Sequence, residues 1–159
     1  MQQEPTQRLD ETDVLRKIAG VSLIAGAAVL LVSSALKVVV WRADTLEEYF
    51  GSIASDEVLW KADNLLLAAG FWAMMIGVVG VHRSIPTGAG AAWARLGFYG
   101  VIVGTALWTV ELAVVGLGLP AIVKDLDEVV GSDRAVVLSV ALSVYRTGLA
   151  LQNMSIVVY

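Results

Sequence analysis

Four long apolar stretches separated by polar connections organise this chain. They are residues 18–41 (IAGVSLIAGAAVLLVSSALKVVVW), 60–82 (WKADNLLLAAGFWAMMIGVVGVH), 94–119 (ARLGFYGVIVGTALWTVELAVVGLGL) and 135–159 (AVVLSVALSVYRTGLALQNMSIVVY). Each meets the length of about 17–25 residues that a membrane-crossing helix needs. The first contains 19 consecutive uncharged residues, Ile18 to Leu36, which argues against four buried helices of a soluble domain. The pattern predicts an all-α fold, a polytopic transmembrane four-helix bundle. Residues 1–15, MQQEPTQRLDETDVL, read as a polar cytoplasmic tail, and 16–159 as a single transmembrane domain. The tail lacks the basic start and short apolar core of a secretory signal.

Two connections carry periodicity of their own. TLEEYFGSIAS, 45–55, opens on Thr45 with Glu48 three residues on, the pattern of a capping box. Leu46, Tyr49, Phe50 and Ile53 then share a helical face. PAIVKDLDEVVG, 120–131, begins at Pro120 and ends at Gly131, with Ile122, Val123, Leu126, Val129 and Val130 on one side. Both are expected as short amphipathic interfacial helices on the outer side, lying in the interface plane in preference to folding over the bundle as a lid.

Composition sharpens the membrane reading. Apolar residues make up 57% and charged residues 16% of the 159-residue chain, against about 45–50% and about 25% in ordinary soluble domains. Mean hydropathy is +0.74. A chain this short cannot hide that much apolar surface from water. The net charge of −4 gives no reason to expect nucleic acid, and the acids cluster in the connections and the N-terminal tail as a solvated face. The absence of cysteine removes disulfides, thiolate catalysis, thiolate zinc sites and iron–sulfur clusters.

The basic residues orient the chain. Arg8, Arg16, Lys17, Arg83 and Arg95 lie on one side, and Arg42, Lys61, Lys124 and Arg134 on the other, among many acids. The positive-inside rule counts Lys and Arg alone, so this bias places both termini in the cytoplasm. Trp41 and Trp60 are expected at the outer interface and Trp93 at the inner one.

Charges inside the spans are the candidate chemistry. Arg146 lies about 16 Å along the fourth span from Ala135, near mid-bilayer. A lone arginine there costs at least about 2.5–3.5 kcal/mol and is rarely left without a partner. Glu111 lies about 12 Å into the third span from Leu119. The two are expected to meet inside the bundle, serving equally as a structural lock or as a functional site. If functional, Glu111 carries a proton or holds a cationic group, and Arg146 holds a carboxylate, phosphate or quinone-like oxygen. Asn153 shares a face with Arg146, and Gln152 sits to one side of it. Lys37 and Asp63 both lie about 5 Å below the outer tryptophans. Snorkelling explains Lys37, with a direct Lys37–Asp63 pair as the alternative.

Gly100 and Gly104 form a small-xxx-small contact in the third span, and Ala73 and Gly77 do so in the second. His82 is the only candidate axial ligand for a haem or chlorophyll, although a histidine at an interface is more often a polar helix end. No metal site and no cofactor are expected, since no His/Asp/Glu cluster has ligand spacing. Ser33 and Ser34 lack a histidine partner. Gly88-Ala89-Gly90 is a turn, with no preceding strand and no following lysine.

The succession RKIAGVSLIAGAA, a long acidic outer connection, NLLLAAGFWAMMIGVVGVHR and ARLGFYGVIVGTALW resembles uncharacterised prokaryotic multi-span integral membrane proteins, which often have six spans. The resemblance implies a multi-pass fold and carries no activity. The ending SIVVY, without a charged tail, raises the expectation of further spans beyond it. Three function classes follow. The first is a non-catalytic membrane component that packs with itself, as a homo-oligomer, or with another integral membrane protein in the lipid bilayer. The second is a small-molecule, lipid or ion binding or transport module centred on the Glu111–Arg146 pair. The third and least favoured is an intramembrane enzyme, because no nucleophile–base set is present.

Overall fold

The structure is a computed structural model that describes residues 5–85 and 87–158, and its described elements are all helical. They are α1 (Pro5–Val40), α2 (Leu46–Ser55), α3 (Glu57–Ser84), α4 (Ala89–Glu111), a π-helical stretch (Leu112–Gly118), α5 (Leu119–Val123) and α6 (Gly131–Val158). Four segments are long and apolar enough to cross a membrane: Asp13–Val40, Glu57–Ser84, Ala89–Val123 and Gly131–Val157. The second and third contain the whole of their apolar stretches, and the first and fourth begin before theirs and end one or two residues short of the last position. Hydropathy marks where a helix meets lipid, whereas backbone hydrogen bonding decides where it ends. The tail shows this best. Residues 5–15 continue the first span as helix.

The long helices form a row. α3 packs against α1 and α4, and α4 against α6, with α1–α3 the most extensive interface. Glycine makes that closeness possible. A Cβ on Gly26 would stand 2.7 Å from the Gly70 carbonyl oxygen, and one on Gly70 would stand 3.0 Å from Leu30. Further along, Gly77 packs on Leu23 and on the main-chain oxygen of Ala19. In lipid, where apolar side chains gain little by leaving solvent, such backbone approach is what holds helices together. α1 and α6, the ends of the row, make no extended contact.

Two connections fold over one end of the row, here termed the connector end. Thr45 caps α2, its Oγ1 accepting from the Glu48 N–H at 3.2 Å. The return arm of the capping box lands one residue early, with Glu48 accepting from the Asp44 N–H at 3.1 Å. The apolar face of α2 turns into the chain's own core: Phe50 is 1% and Ile53 0% exposed. This corrects the preference for interface packing. These side chains fit against Tyr49, Tyr145 and the 119–126 segment, a closer apolar contact than lipid headgroups offer.

The helix expected over 120–131 is also corrected. Only Leu119–Val123 is α-helical, and it continues the preceding span. Residues 124–128 are turns, with the Asp125 carbonyl accepting from the Glu128 N–H at 3.0 Å and the Val129 N–H at 3.3 Å. Gly131 opens α6 instead of closing a helix, and its φ of +61° suits glycine. Arg134 ties this end together by donating to Glu47 at 2.7 and 3.0 Å and to the Leu126 carbonyl.

Trp41 and Trp60 are core residues rather than interface markers. They are 4% and 1% exposed and meet edge to face at 5.1 Å, whereas Trp93 is exposed. Edge-to-face packing among Trp41, Trp60 and Tyr49 is energetically favourable beyond the area it buries. The densest apolar cluster therefore lies at the connector end. Elsewhere large apolar side chains such as Ile24, Leu31 and Val38 face outward, as lipid-facing helices permit.

Candidate functional site

The helical repeat sets up a polar network between α1 and α3. Ser33 and Lys37 are one turn apart on α1, and Trp60, Asp63 and Asn64 occupy one turn of α3. Asp63 and Asn64 are each 2% exposed. The Lys37 Nζ donates to Asn64 Oδ1 at 3.0 Å, stands 3.8 Å from Asp63 Oδ2, and lies 5.0 Å from the Trp60 ring centre. Ser33 Oγ donates to the Asp63 carboxylate, and Asn64 Nδ2 donates to the Trp60 carbonyl at 2.8 Å. A buried carboxylate in an apolar span demands such partners. Direct pairing, the lesser alternative from the sequence, is thus the geometry of Lys37 and Asp63.

Beside this network lies a cavity of about 410 Å³ between α1 and α6, with α3 and α4 behind it and Tyr49 of α2 at its connector end. That volume lies in the usual range for small-molecule sites. Its wall includes Lys37, Glu111, Tyr49, Tyr145, Gln152, Trp60, Phe71 and Trp108. Phe71 and Trp108 stack at 4.5 Å. Burial, with Tyr145 and Glu111 nearby, pushes the Tyr49 phenol above its usual range, so it is neutral at ordinary pH.

Glu111 is the unsatisfied group of this wall. It is buried, and its Oε2 has no hydrogen-bond partner among the described residues. It is also the last residue before the π-helical stretch, a feature that often accompanies functional sites. Pro120 gives a local reason for the end of that stretch. In an i→i+5 register the Val115 carbonyl would accept from residue 120, which is Pro120 and has no N–H. The Trp60 indole N–H supplies a donor to that carbonyl instead, at 3.3 Å. Gly116 gives room for the arrangement, since a Cβ there would meet the Asn64 Cβ at 2.6 Å.

No protein-family model, curated protein or solved structure matches this chain. Its chemistry is therefore read from its own residues.

The expected Glu111–Arg146 pair does not form. Glu111 turns inward, while Arg146 is exposed on α6 and has no hydrogen bond or ion pair among the described residues. Depth alone brought the two together in the sequence reading. Depth says nothing of rotation about the helix axis, and Tyr145, Leu149 and Gln152 are the α6 residues that face the cavity. Asn153 is exposed with Arg146. Gly104 is buried and Gly100 half-buried on α4, and Ala73 is half-buried on α3. His82 stacks on Phe98 at 4.8 Å, with its Nδ1 buried and unpartnered. No group of three metal-ligating side chains occurs among the described residues.

Sequence reasoning missed Tyr49, Phe71 and Trp108 as cavity residues. Phe71 and Trp108 signal only aromatic character within apolar spans, and Tyr49 only its place on the apolar face of the 45–55 helix.

Proposed function

We propose that this chain is a membrane-embedded binding module whose cavity takes a small amphipathic molecule bearing an organic cation, with Glu111 as the charge anchor. The carrying observation is the buried, unpartnered Glu111 oxygen on an aromatic-walled cavity. Lys37 is already engaged by Asn64, Asp63 and the Trp60 ring, so Glu111 is the charge left for a ligand. Aromatic rings favour alkylammonium groups through their negative faces. A packing role, the first expectation from the sequence, has less support on the α1–α3 side. Gly26, Gly70 and Gly77 are occupied by the chain's own helix crossing and offer a partner no surface.

The test uses benzyltrimethylammonium and its neutral carbon isostere, neopentylbenzene. Both are titrated into the protein in nanodiscs, with Trp60 and Trp108 fluorescence as the readout and empty nanodiscs as the blank. The cation is expected to bind, and Glu111→Gln to weaken it at least tenfold, about 1.4 kcal/mol, while leaving the isostere unchanged. Equal binding of the two probes, or an unaltered Glu111→Gln, sinks the proposal.

The proposed setting is a prokaryotic cytoplasmic membrane, as the resemblance implies, and the Lys and Arg distribution supports both termini inside. The cysteine-free chain is a ready host for accessibility labelling. In intact bacterial cells, Ser55→Cys is expected to react with an impermeant maleimide, and Thr87→Cys only after lysis. The reverse pattern inverts the topology.

A further inference from the structure

Arg146 lies about 18 Å or more along the axis from either end of α6, at 1.5 Å per residue, so it sits near the middle of a segment long enough to span the bilayer. Its side chain is exposed and carries no partner among the described residues. Neither helix end is close enough for snorkelling to relieve it easily. A guanidinium facing hydrocarbon at that depth is strongly disfavoured, and such groups pair or line water.

The surface around it suits a helix rather than a lipid tail. Ser143 and Thr147, one turn apart and both exposed, donate their hydroxyls to main-chain carbonyls one turn back, at 2.9 Å each. Their polar atoms are therefore satisfied, and small side chains remain at the surface to admit a close neighbour. Asn153, two turns beyond Arg146, is exposed as well and adds an amide able to bond across helices.

From this we infer that the Arg146 face of α6 is a docking surface for a transmembrane helix carrying an Asp or Glu near mid-bilayer. Charge complementarity selects that partner over a second copy of this chain. Of the acids within its described spans, Asp13, Glu57 and Asp133 lie in the end turns and Asp63 and Glu111 are buried, so another copy presents no carboxylate at mid-bilayer depth and a two-fold contact would set Arg146 against Arg146. The inference is independent of the cavity, which Arg146 does not line.

The probe is a leucine/alanine-rich transmembrane peptide with a single central Glu, compared with the same peptide carrying Gln. Energy transfer from the labelled full chain to each labelled peptide is measured in neutral-lipid vesicles at pH 8. The Glu peptide is expected to half-saturate at least tenfold lower surface density than the Gln peptide. Arg146→Leu is expected to remove that preference, and Arg146→Lys to keep part of it. Thermal melting of Arg146→Leu is expected to match wild type, because the replaced side chain is exposed. Three results would each overturn the inference: no Glu preference, a preference that survives Arg146→Leu, or disulfide cross-linking of Asn153→Cys to its own kind that grows stronger in Arg146→Leu. The last would make this face a homodimer contact.

Discussion

Lys37→Met is expected to lower the stability of the folded protein by up to about 3–5 kcal/mol, the effect of stranding one charge of a buried ion pair, with the partly exposed Lys37 moderating it. Asp63 has no exposed side-chain surface, and its Oδ2 already lacks a hydrogen-bond partner, so the Lys37 charge 3.8 Å away is its principal electrostatic complement. Ser33 can donate only one hydrogen. Deleting the ammonium also leaves Asn64 Oδ1 without its donor and frees the Trp60 ring face. The double variant Lys37→Met/Asp63→Leu should recover most of the loss, because an apolar pair needs no compensation in this environment. Thermal melting in detergent of both single variants and the double variant gives the coupling energy directly. Additive losses would show that Lys37 and Asp63 contribute independently and would sink the pairing between them.

Gly26→Val is expected to be comparably damaging, for a different reason. Its Cβ would stand 2.7 Å from the Gly70 carbonyl oxygen, a backbone atom that cannot rotate away. α1 and α3 must then separate along the largest interface of the molecule. Overpacking of a well-fitted contact typically costs about 1–3 kcal/mol, and a main-chain clash lies at the upper end of that range. Gly20→Val, on the same helix, is the control, since nothing lies within 4 Å of a Cβ there. Melting temperature should fall sharply for Gly26→Val and stay within experimental error for Gly20→Val. Equal effects would mean that helix propensity, rather than the crossing, sets the response.

Several features were legible before any coordinate. The apolar runs placed four segments of membrane-spanning length, because twenty uncharged residues have few stable destinations outside lipid. Thr45 with Glu48 marked the start of α2 to within a residue, because a cap is a local interaction. Lys37 and Asp63 could be paired by depth because they lie on helices that also happen to face one another.

The same logic failed for Arg146 and Glu111. Depth along a helix follows from counting residues, but azimuth depends on which neighbour each helix packs against. In a span that is apolar nearly all round, no periodic face announces that choice. The glycines divide in the same way. Ala73 and Gly77 were visible as a short-spaced motif, whereas Gly26 and Gly70 lie on different helices and become a pair only at their crossing.

By itself, then, the sequence determined that the chain has four helices long and apolar enough to span a membrane, roughly where those helices lie, and which ionisable groups are held within them. Those properties depend on composition and on spacing along a single helix. Only the tertiary structure decided that Glu111 faces a cavity, that Trp41 and Trp60 belong to the core, and that Arg146 points away from the bundle. These are properties of rotation and contact between helices, and they are set by backbone approach at Gly26, Gly70 and Gly77 and by the fold-over of α2.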